Sequence, residues 1–523
     1  MNLPRPFKLV TKAFKLVTKD RETGWTFTLL ISIPYLAFLV WMHMHHEMWR
    51  DEIHAWTLSR LANGFSDLVT GDRIYAGHPP LWYWYLRVWT WFMESAWGIQ
   101  AATAAAATAA AVLLLRFAPF PRYLEVMLLF SYYFGFEYSV MARNYILGWL
   151  LLCVFCTFYH PIRIRHFALA FALALLSLTS IYGLIMCIFL LGFFILDQFR
   201  MSHSSRVTPP TEYVFVASPR MFATLAIVTA VMMFCVLTIE PPDPNPFSPA
   251  FNLSALTSSA LPEMLHRVTA GFLPWRKSTL IDFWGLDATF WERTSIYPKY
   301  VGSGFLLLVT IALYPSWRLI LTYLGAAAMM MAFQQARFDG AARHWGHFFM
   351  LFVALCWLAR LQFPRRSHWF STLLLTGILA IQAKSFKAAT VLDTREVFSG
   401  GRDAAAFIRK QGLQDLPFVA GPDYTGATVA GYLLRPFYAA ETAEYDQNVV
   451  FHNRRRPFSP QELMNRAVAV LHEKNSPVLL VCNQWLPEPP HGIARTLLFT
   501  SRPGLVADEV YSVYRLQATD ADP

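Results

Sequence analysis

The stretch RDEIH (50–54) sets two adjacent carboxylates, Asp51 and Glu52, between an arginine and a histidine. A carboxylate held in such a place can take a proton from an acceptor hydroxyl as a general base. Three further polar clusters accompany it: His78 in GHPPLW, Arg143 and Tyr145 in MARNYILG, and Arg337, Asp339, Arg343, His344 and His347 in RFDGAARHWGH. Arginines beside a histidine suit an anionic leaving group, most simply a phosphate, whose developing charge fixed cations stabilise. Base, phosphate clamp and a lipid-rich setting together point to transfer of a group from a lipid phosphate.

Each cluster also has a plainer reading. Asp51 and Glu52 suit a helix first turn, where carboxylates are favoured. Arg143 can snorkel to a membrane interface. His78 before Pro-Pro can be a turn residue, and RHWGH an interfacial anchor. The upstream run HMHHEM supplies His43, His45, His46 and Glu47, which leaves a divalent metal open as a minor alternative. It lacks the HExxH order of zinc proteases, and histidine sits at a membrane rim without needing a ligand. No metal and no cofactor is therefore expected.

What positions these residues is a membrane. The 523 residues are 55% hydrophobic and 15% charged, with mean hydropathy +0.35, whereas soluble domains carry ~25% charge. The net charge of +10 comes from Lys and Arg in short loops between apolar runs, as in cytoplasmic loops, so nucleic acid is not an expected partner. Cys153, Cys156, Cys187, Cys235 and Cys356 lie inside apolar runs and Cys482 in the polar C-terminal part. They make no disulfide framework, and CVFC (153–156) reads as helix packing.

Twelve apolar segments are legible: 25–42, 80–97, 99–115, 123–140, 144–159, 167–182, 183–199, 221–239, 300–314, 319–334, 346–359 and 369–384. If all twelve crossed, Arg116, Arg122, Arg163, Arg165, Arg200, Arg206, Arg220, Arg360, Arg365 and Arg366 would fall outside, against the positive-inside rule. Removing 80–97 from the count brings all of them inside, with Arg318. That segment holds five tryptophans, Tyr83 and Tyr85, with Arg87 and Glu94, a composition for the headgroup region rather than a lipid-facing span. The expected architecture is a polytopic α-helical membrane protein of about eleven spans over 25–385. Its N-terminus is inside, and the first outer loop, 43–98, carries the interfacial helix 80–97. A second outer loop covers 240–299. The basic segment 1–24, with FKLVTK at 7–12 and again at 14–19, reads as cytoplasmic, leading into an uncleaved anchor.

Residues 386–523 read as a soluble α/β domain on the outer face. GRDAAAFIRKQGL and SPQELMNRAVAVLHEKN read as helices, and PFVAG, RPFYAA, SPVLLVCNQ and VYSVYRL as strands. The domain lacks GxGxxG, P-loop and nucleophile-elbow motifs, and reads as a structural or acceptor-recognising lobe.

RDEIHAW after the first span, GHPPLWYW some two dozen residues later, ARNYILG and the RHWGH loop follow one another in an order that resembles the C-type glycosyltransferases (GT-C). The nearest branch is that of the bacterial protein O-mannosyltransferase relatives and the lipid A aminoarabinose transferase. The resemblance implies a polyprenyl-phosphate-linked sugar donor, used on the outer face of a bacterial plasma membrane by an inverting single displacement. The acceptor is a glycan, lipid or protein. It makes Asp51 the base and Glu52 a supporting acceptor contact. It assigns the donor phosphate and lipid to His78, where the aminoarabinose transferase carries Lys, and to Arg143, Tyr145, Arg343 and His344. Two other classes remain open on the residues: a lipid-linked-glycan flippase, which needs polar groups in mid-membrane, and a non-catalytic scaffold whose lobe binds partners.

Overall fold

Helix α1 (Gly24–His45) opens the ordered architecture in a computed structural model that describes residues 24–70, 77–161, 165–202, 212–215, 218–240, 250–274, 297–449, 451 and 454–519. The FKLVTK repeat, Arg163, Arg206 and most of 241–296 lie outside the described residues. Beyond α1 the outer-loop region folds as α2 (Arg50–Leu61), a short α3 (Asp67–Thr70) and α4 (Leu81–Thr90). At 1.5 Å per residue, the ten residues of α4 span roughly 15 Å, about half a bilayer core.

The apolar runs then become α5 (Trp97–Phe117), α6 (Arg122–Leu129), α7 (Tyr145–Phe158), α8 (His166–Ser177), α9 (Ile181–Asp197) and α10 (Pro219–Ile239). After a buried helix α11 (Leu261–Phe272) come α12 (Tyr297–Leu313), α13 (Trp317–Ala336), α14 (Ala342–Gln362) and α15 (Trp369–Arg395). Among the described residues α1, α5, α10, α13, α14 and α15 are long and apolar enough to cross a membrane on their own. α14 is wrapped by protein almost throughout, whereas α10 exposes Phe222, Ile227, Met233, Val236 and Leu237. A strand pair, β1 (Phe199–Ser202) with β2 (Glu212–Phe215), joins α9 to α10.

Three expectations are corrected here. The segment 123–140 is not one helix: α6 stops at Leu129 and a π-helical turn, Tyr132–Glu137, follows. Ser131 accepts the Phe134 N–H, and Tyr35 of α1 donates to the Phe134 carbonyl at 2.8 Å, which pins the irregular turn. RHWGH is not a loop; α14 already begins at Ala342, so Arg343, His344 and His347 project from its first turns. The loop 240–299 contains α11, whose Leu265, Val268 and Phe272 face the core.

α15 continues past residue 385 to Arg395 and delivers the chain into the C-terminal lobe. The lobe's sheet has strand order β5-β4-β3-β6-β8-β7, from β3 (Phe418–Gly421), β4 (Phe437–Ala439), β5 (Glu444–Asp446), β6 (Val478–Cys482), β7 (Ile493–Thr500) and β8 (Ser512–Ala518). β4, β3 and β6 run parallel and the other pairings are antiparallel. Side chains alternate across it. Phe418, Ala420, Leu479 and Val481 pack under α16 (Gly401–Lys410) and α17 (Asp423–Leu433). Val419, Val478, Leu480 and Cys482 pack under α18 (Pro460–Lys474). The start of α18 is a capping box, Ser459 with Glu462, as SPQE announces.

Candidate active site

The start of α2 is built around Glu52. Its Oε2 accepts the Trp49 N–H at 3.1 Å, capping the helix, and lies 3.1 Å from His46 Nε2. Its Oε1 accepts the Ala142 N–H at 2.5 Å. Glu52 has no exposed surface, so it points into the protein, away from the acceptor contact expected of it. Asp51, one residue earlier, points outward with about a third of its side chain exposed (33%). Burial works against its charge, but the guanidiniums of Arg143, Arg343 and Arg50 outweigh it and hold the carboxyl below the usual Asp range.

Ala142 and Arg143 belong to the turn between the π-helical segment and α7. With Ala142 tied to Glu52, Arg143 reaches back to α2: its Nη1 donates to the Asp51 carbonyl at 2.9 Å and lies 3.6 Å from Asp51 Oδ2. Its Nη2 lies 3.3 Å from His78 Nε2. A guanidinium only donates, so His78 Nε2 is an acceptor and the ring is neutral in this contact. In this contact His78 orients Arg143. Arg143 Nε has no hydrogen-bond partner among the described residues.

The first turns of α14 close the other side. His344 Nδ1 accepts the Ala341 N–H at 2.8 Å, so its proton is on Nε2, which lies 2.9 Å from the Tyr145 oxygen. The Tyr145 hydroxyl accepts there and keeps its own proton to donate. Arg343 lies over the Trp49 ring at 5.5 Å, and its carbonyl accepts the Tyr138 hydroxyl. His347 stacks on Tyr182 at 4.6 Å. The structure thus brings Asp51, His78, Arg143, Tyr145, Arg343 and His344 together and turns Glu52 inward.

His78, Tyr145 and His344 open onto a cavity of about 430 Å³ walled by Ile181, Leu184, Val236, Ile239, Phe333 and Phe338. This is the size and apolar character of a ligand pocket. Tyr182, Arg337 and Phe451 also line it, Arg337 lying over Phe251 at 4.6 Å and within 3.4 Å of Glu240. Sequence reading passed over Arg267 on α11, which is 2% exposed. It donates to Asp339 at 2.7 Å, and its Nη1 has no partner among the described residues. Its one local companion is Glu263, four residues earlier on the same helix face and 3.8 Å from its Nε.

The histidine run divides differently from expectation. His46 is not a rim residue: it is buried between Glu52 and Asp393 of α15, at 3.1 and 2.9 Å. Glu47 accepts the Phe398 N–H at 2.8 Å and pairs with Arg402 of the lobe. No group of three His, Cys, Asp or Glu side chains is arranged to hold a metal among the described residues.

The lobe rests on α2. α17 meets α2 where Gly431 leaves no side chain: a Cβ there would fall 2.2 Å from Ile53 Cγ2. Around that contact Tyr432 donates to the Met48 carbonyl at 3.2 Å, and the Arg50 N–H donates to Glu509 at 3.1 Å. Arg50 also pairs with Asp508 at 2.5 Å, and Arg60 donates to Gln447 at 2.9 Å. Phe451, from the lobe, packs on His54 of α2 and on into the cavity wall.

Two solved structures share this fold over nearly the whole chain. The crystal structure of ArnT from Cupriavidus metallidurans bound to undecaprenyl phosphate matches with TM-score 0.50 at 15% identity, covering 94% of this chain and 98% of that one. The apo structure of the same protein matches with TM-score 0.50 at 13% identity, covering 95% and 98%. No protein-family model and no curated protein sequence matches. At these identities the likeness is one of fold, and the fold is the one the RDEIHAW, GHPPLWYW and ARNYILG resemblance implies.

Proposed function

We propose that this chain is a C-type membrane glycosyltransferase that moves a sugar from a polyprenyl-phosphate-linked donor to an acceptor hydroxyl at the outer face of a bacterial plasma membrane. One observation carries the reading: an outward-facing carboxylate, Asp51, is linked through Arg143 to His78 at the mouth of an apolar cavity also lined by Tyr145 and His344. The fold match to a protein crystallised with undecaprenyl phosphate supports a lipid phosphate as ligand.

In this scheme the polyprenyl tail lies along the apolar wall and the phosphate meets Arg143 Nε, the Tyr145 hydroxyl and the cations Arg337, Arg343 and Arg267. The acceptor oxygen attacks the anomeric carbon from the side opposite the phosphate. The C1–O bond to phosphate breaks, the configuration inverts, and Asp51 takes the acceptor proton. The guanidiniums neutralise the departing lipid phosphate, the role a metal plays elsewhere. Arg143 serves both ends: before the donor arrives it keeps Asp51 ionised. As the phosphate draws its charge, the carboxylate becomes a better base.

The lobe's contacts with α2 support the topology. They require an even number of crossings between α1 and the lobe, and the ten apolar segments from α5 to α15, α11 aside, provide it only if α4 does not cross. With α1 this reading gives eleven spans, and the positive-inside pattern of the loops favours the N-terminus inside and the lobe outside. The direct test is mass spectrometry of cell-envelope glycans and glycoproteins in a deletion strain. The strain should lack one sugar on one polymer, restored by the wild-type chain and not by Asp51→Asn inserted at equal level. Full restoration by Asp51→Asn refutes the assignment.

A further inference from the structure

We infer that Asp393, His46 and Glu52 form a buried array of positioning residues that sets the Arg143 turn against the base. The inference rests on the reading of Asp51 as that base. The His46 ring lies between Asp393 Oδ1 at 2.9 Å and Glu52 Oε2 at 3.1 Å, and all three side chains have no exposed surface. A neutral imidazole has one N–H and cannot donate to two carboxylates, so the ring is an imidazolium. Burial opposes that charge, but Asp393 and Glu52 more than offset it and hold the ring's pKa well above its ordinary value.

Three charges taken fully out of water are an expensive way to join helices, and apolar side chains of similar volume would hold them together as well. What an apolar contact cannot do is fix a direction. Here the direction is passed on: Asp393 on α15 orients His46, His46 orients Glu52, and Glu52 Oε1 takes the Ala142 N–H at 2.5 Å. The next residue, Arg143, then meets Asp51 through its carbonyl at 2.9 Å and its carboxylate at 3.6 Å. Phe398 closes over the His46 ring edge-on at 4.6 Å, so the array is shielded where α15 turns into the lobe. The ionisable groups around His46 are Asp393, Glu52, Glu47 and His43; those around Asp51 are Arg143, Arg343, Arg50 and His54.

The experiment uses the purified full-length protein with a polyprenyl-phosphate sugar donor and reads transfer rate against pH. Asp393→Asn and Glu52→Gln keep shape and remove charge. Both should insert and stay monodisperse, and lose about 10²-fold in kcat, the scale of a misplacement near 1 Å. The acid limb of the rate profile should move to higher pH, because Arg143 no longer sits on Asp51. Asp393→Glu should recover much of the rate. Folded variants with a wild-type rate, or with a reduced rate and an unmoved acid limb, overturn the positioning role. Failure of both variants to insert also overturns it, by making the array a folding element. Asp51→Asn is run alongside: if it stays active, the base assignment has failed and not the array.

Discussion

Adding one methyl group at Gly431 should uncouple the lobe from the helix that carries Asp51. The Cβ of Gly431→Ala falls 2.2 Å from Ile53 Cγ2 and 3.1 Å from Thr57 Oγ1. Ordinary carbon contacts are ~3.5–4.0 Å, so α17 and α2 must part by more than an ångström unless a side chain yields. Ile53 is fully buried and has nowhere to turn. Overpacking of this kind costs about 1–3 kcal/mol. On the proposed role of Asp51, a 1 Å displacement of its carboxylate should cost on the order of 10²-fold in rate. Thermal unfolding in detergent and transfer kinetics on the same sample measure both. The second arm is Ile53→Ala, which removes the clashing Cγ2. Alone it leaves a cavity and costs ~2–5 kcal/mol. Combined with Gly431→Ala the new methyl fills part of that cavity. The double variant should therefore lose less stability than the two single losses added together, with a coupling energy of about 1–3 kcal/mol. A Gly431→Ala protein with wild-type stability and rate would refute the seating of the lobe on α2. Strict additivity in the cycle would refute the Ile53 contact as its cause.

Arg143→Gln should lower kcat by about 10²–10³-fold, the usual loss for a donor aimed at developing charge. It should also move the acid limb to higher pH: Asp51 is held below the usual Asp range by Arg143 and its fellow cations, so the wild-type rate is lost only as pH falls through that low value. A rate–pH profile with an unmoved limb would contradict the pairing. The lobe should lose stability as pH rises: burial pushes Glu509 from 4.5 up to about 7, and burial with Asp423 nearby raises Glu441. Both protons are kept on folding, so stability is full below pH 4.5 and is lost up to about 7, by on the order of 3 kcal/mol per group. Melting curves of the full chain between pH 5 and 8 should show the fall, and Glu441→Gln should flatten it.

Much of this architecture is legible in the sequence because a membrane imposes simple rules. Charge asymmetry across the loops sets 80–97 apart from the other apolar segments, and the structure holds a ten-residue helix there, α4. The lobe's strands read from short apolar runs, and α18 from the Ser-Pro and Gln-Glu at its start. The convergence of Asp51, His78, Arg143 and Arg343 follows from topology, since alternate loops share a face. What is not legible depends on contacts between distant residues. His46 meets Asp393 across 347 positions, and nothing near either one announces it. Glu52 looks like a twin of Asp51, but successive helical residues point about 100° apart, so one faces water and the other the core. RHWGH reads as a loop because its polar residues hide the helix start. The π-helical turn is held by Tyr35 and Ser131, partners that a periodicity search does not weigh.

The Arg50 N–H, one residue before Asp51, is capped by Glu509, 459 positions later. During synthesis the helices up to α15 can enter the membrane long before that carboxylate leaves the ribosome. Asp51 and the Arg143 turn are then present without the lobe that seats α2 or the Phe451 wall of the cavity. The contacts that seat α2 on the lobe can therefore form only once nearly the whole chain has been made. A ribosome stalled short of residue 509 would leave Asp51 and the Arg143 turn without the lobe contact that holds the start of α2.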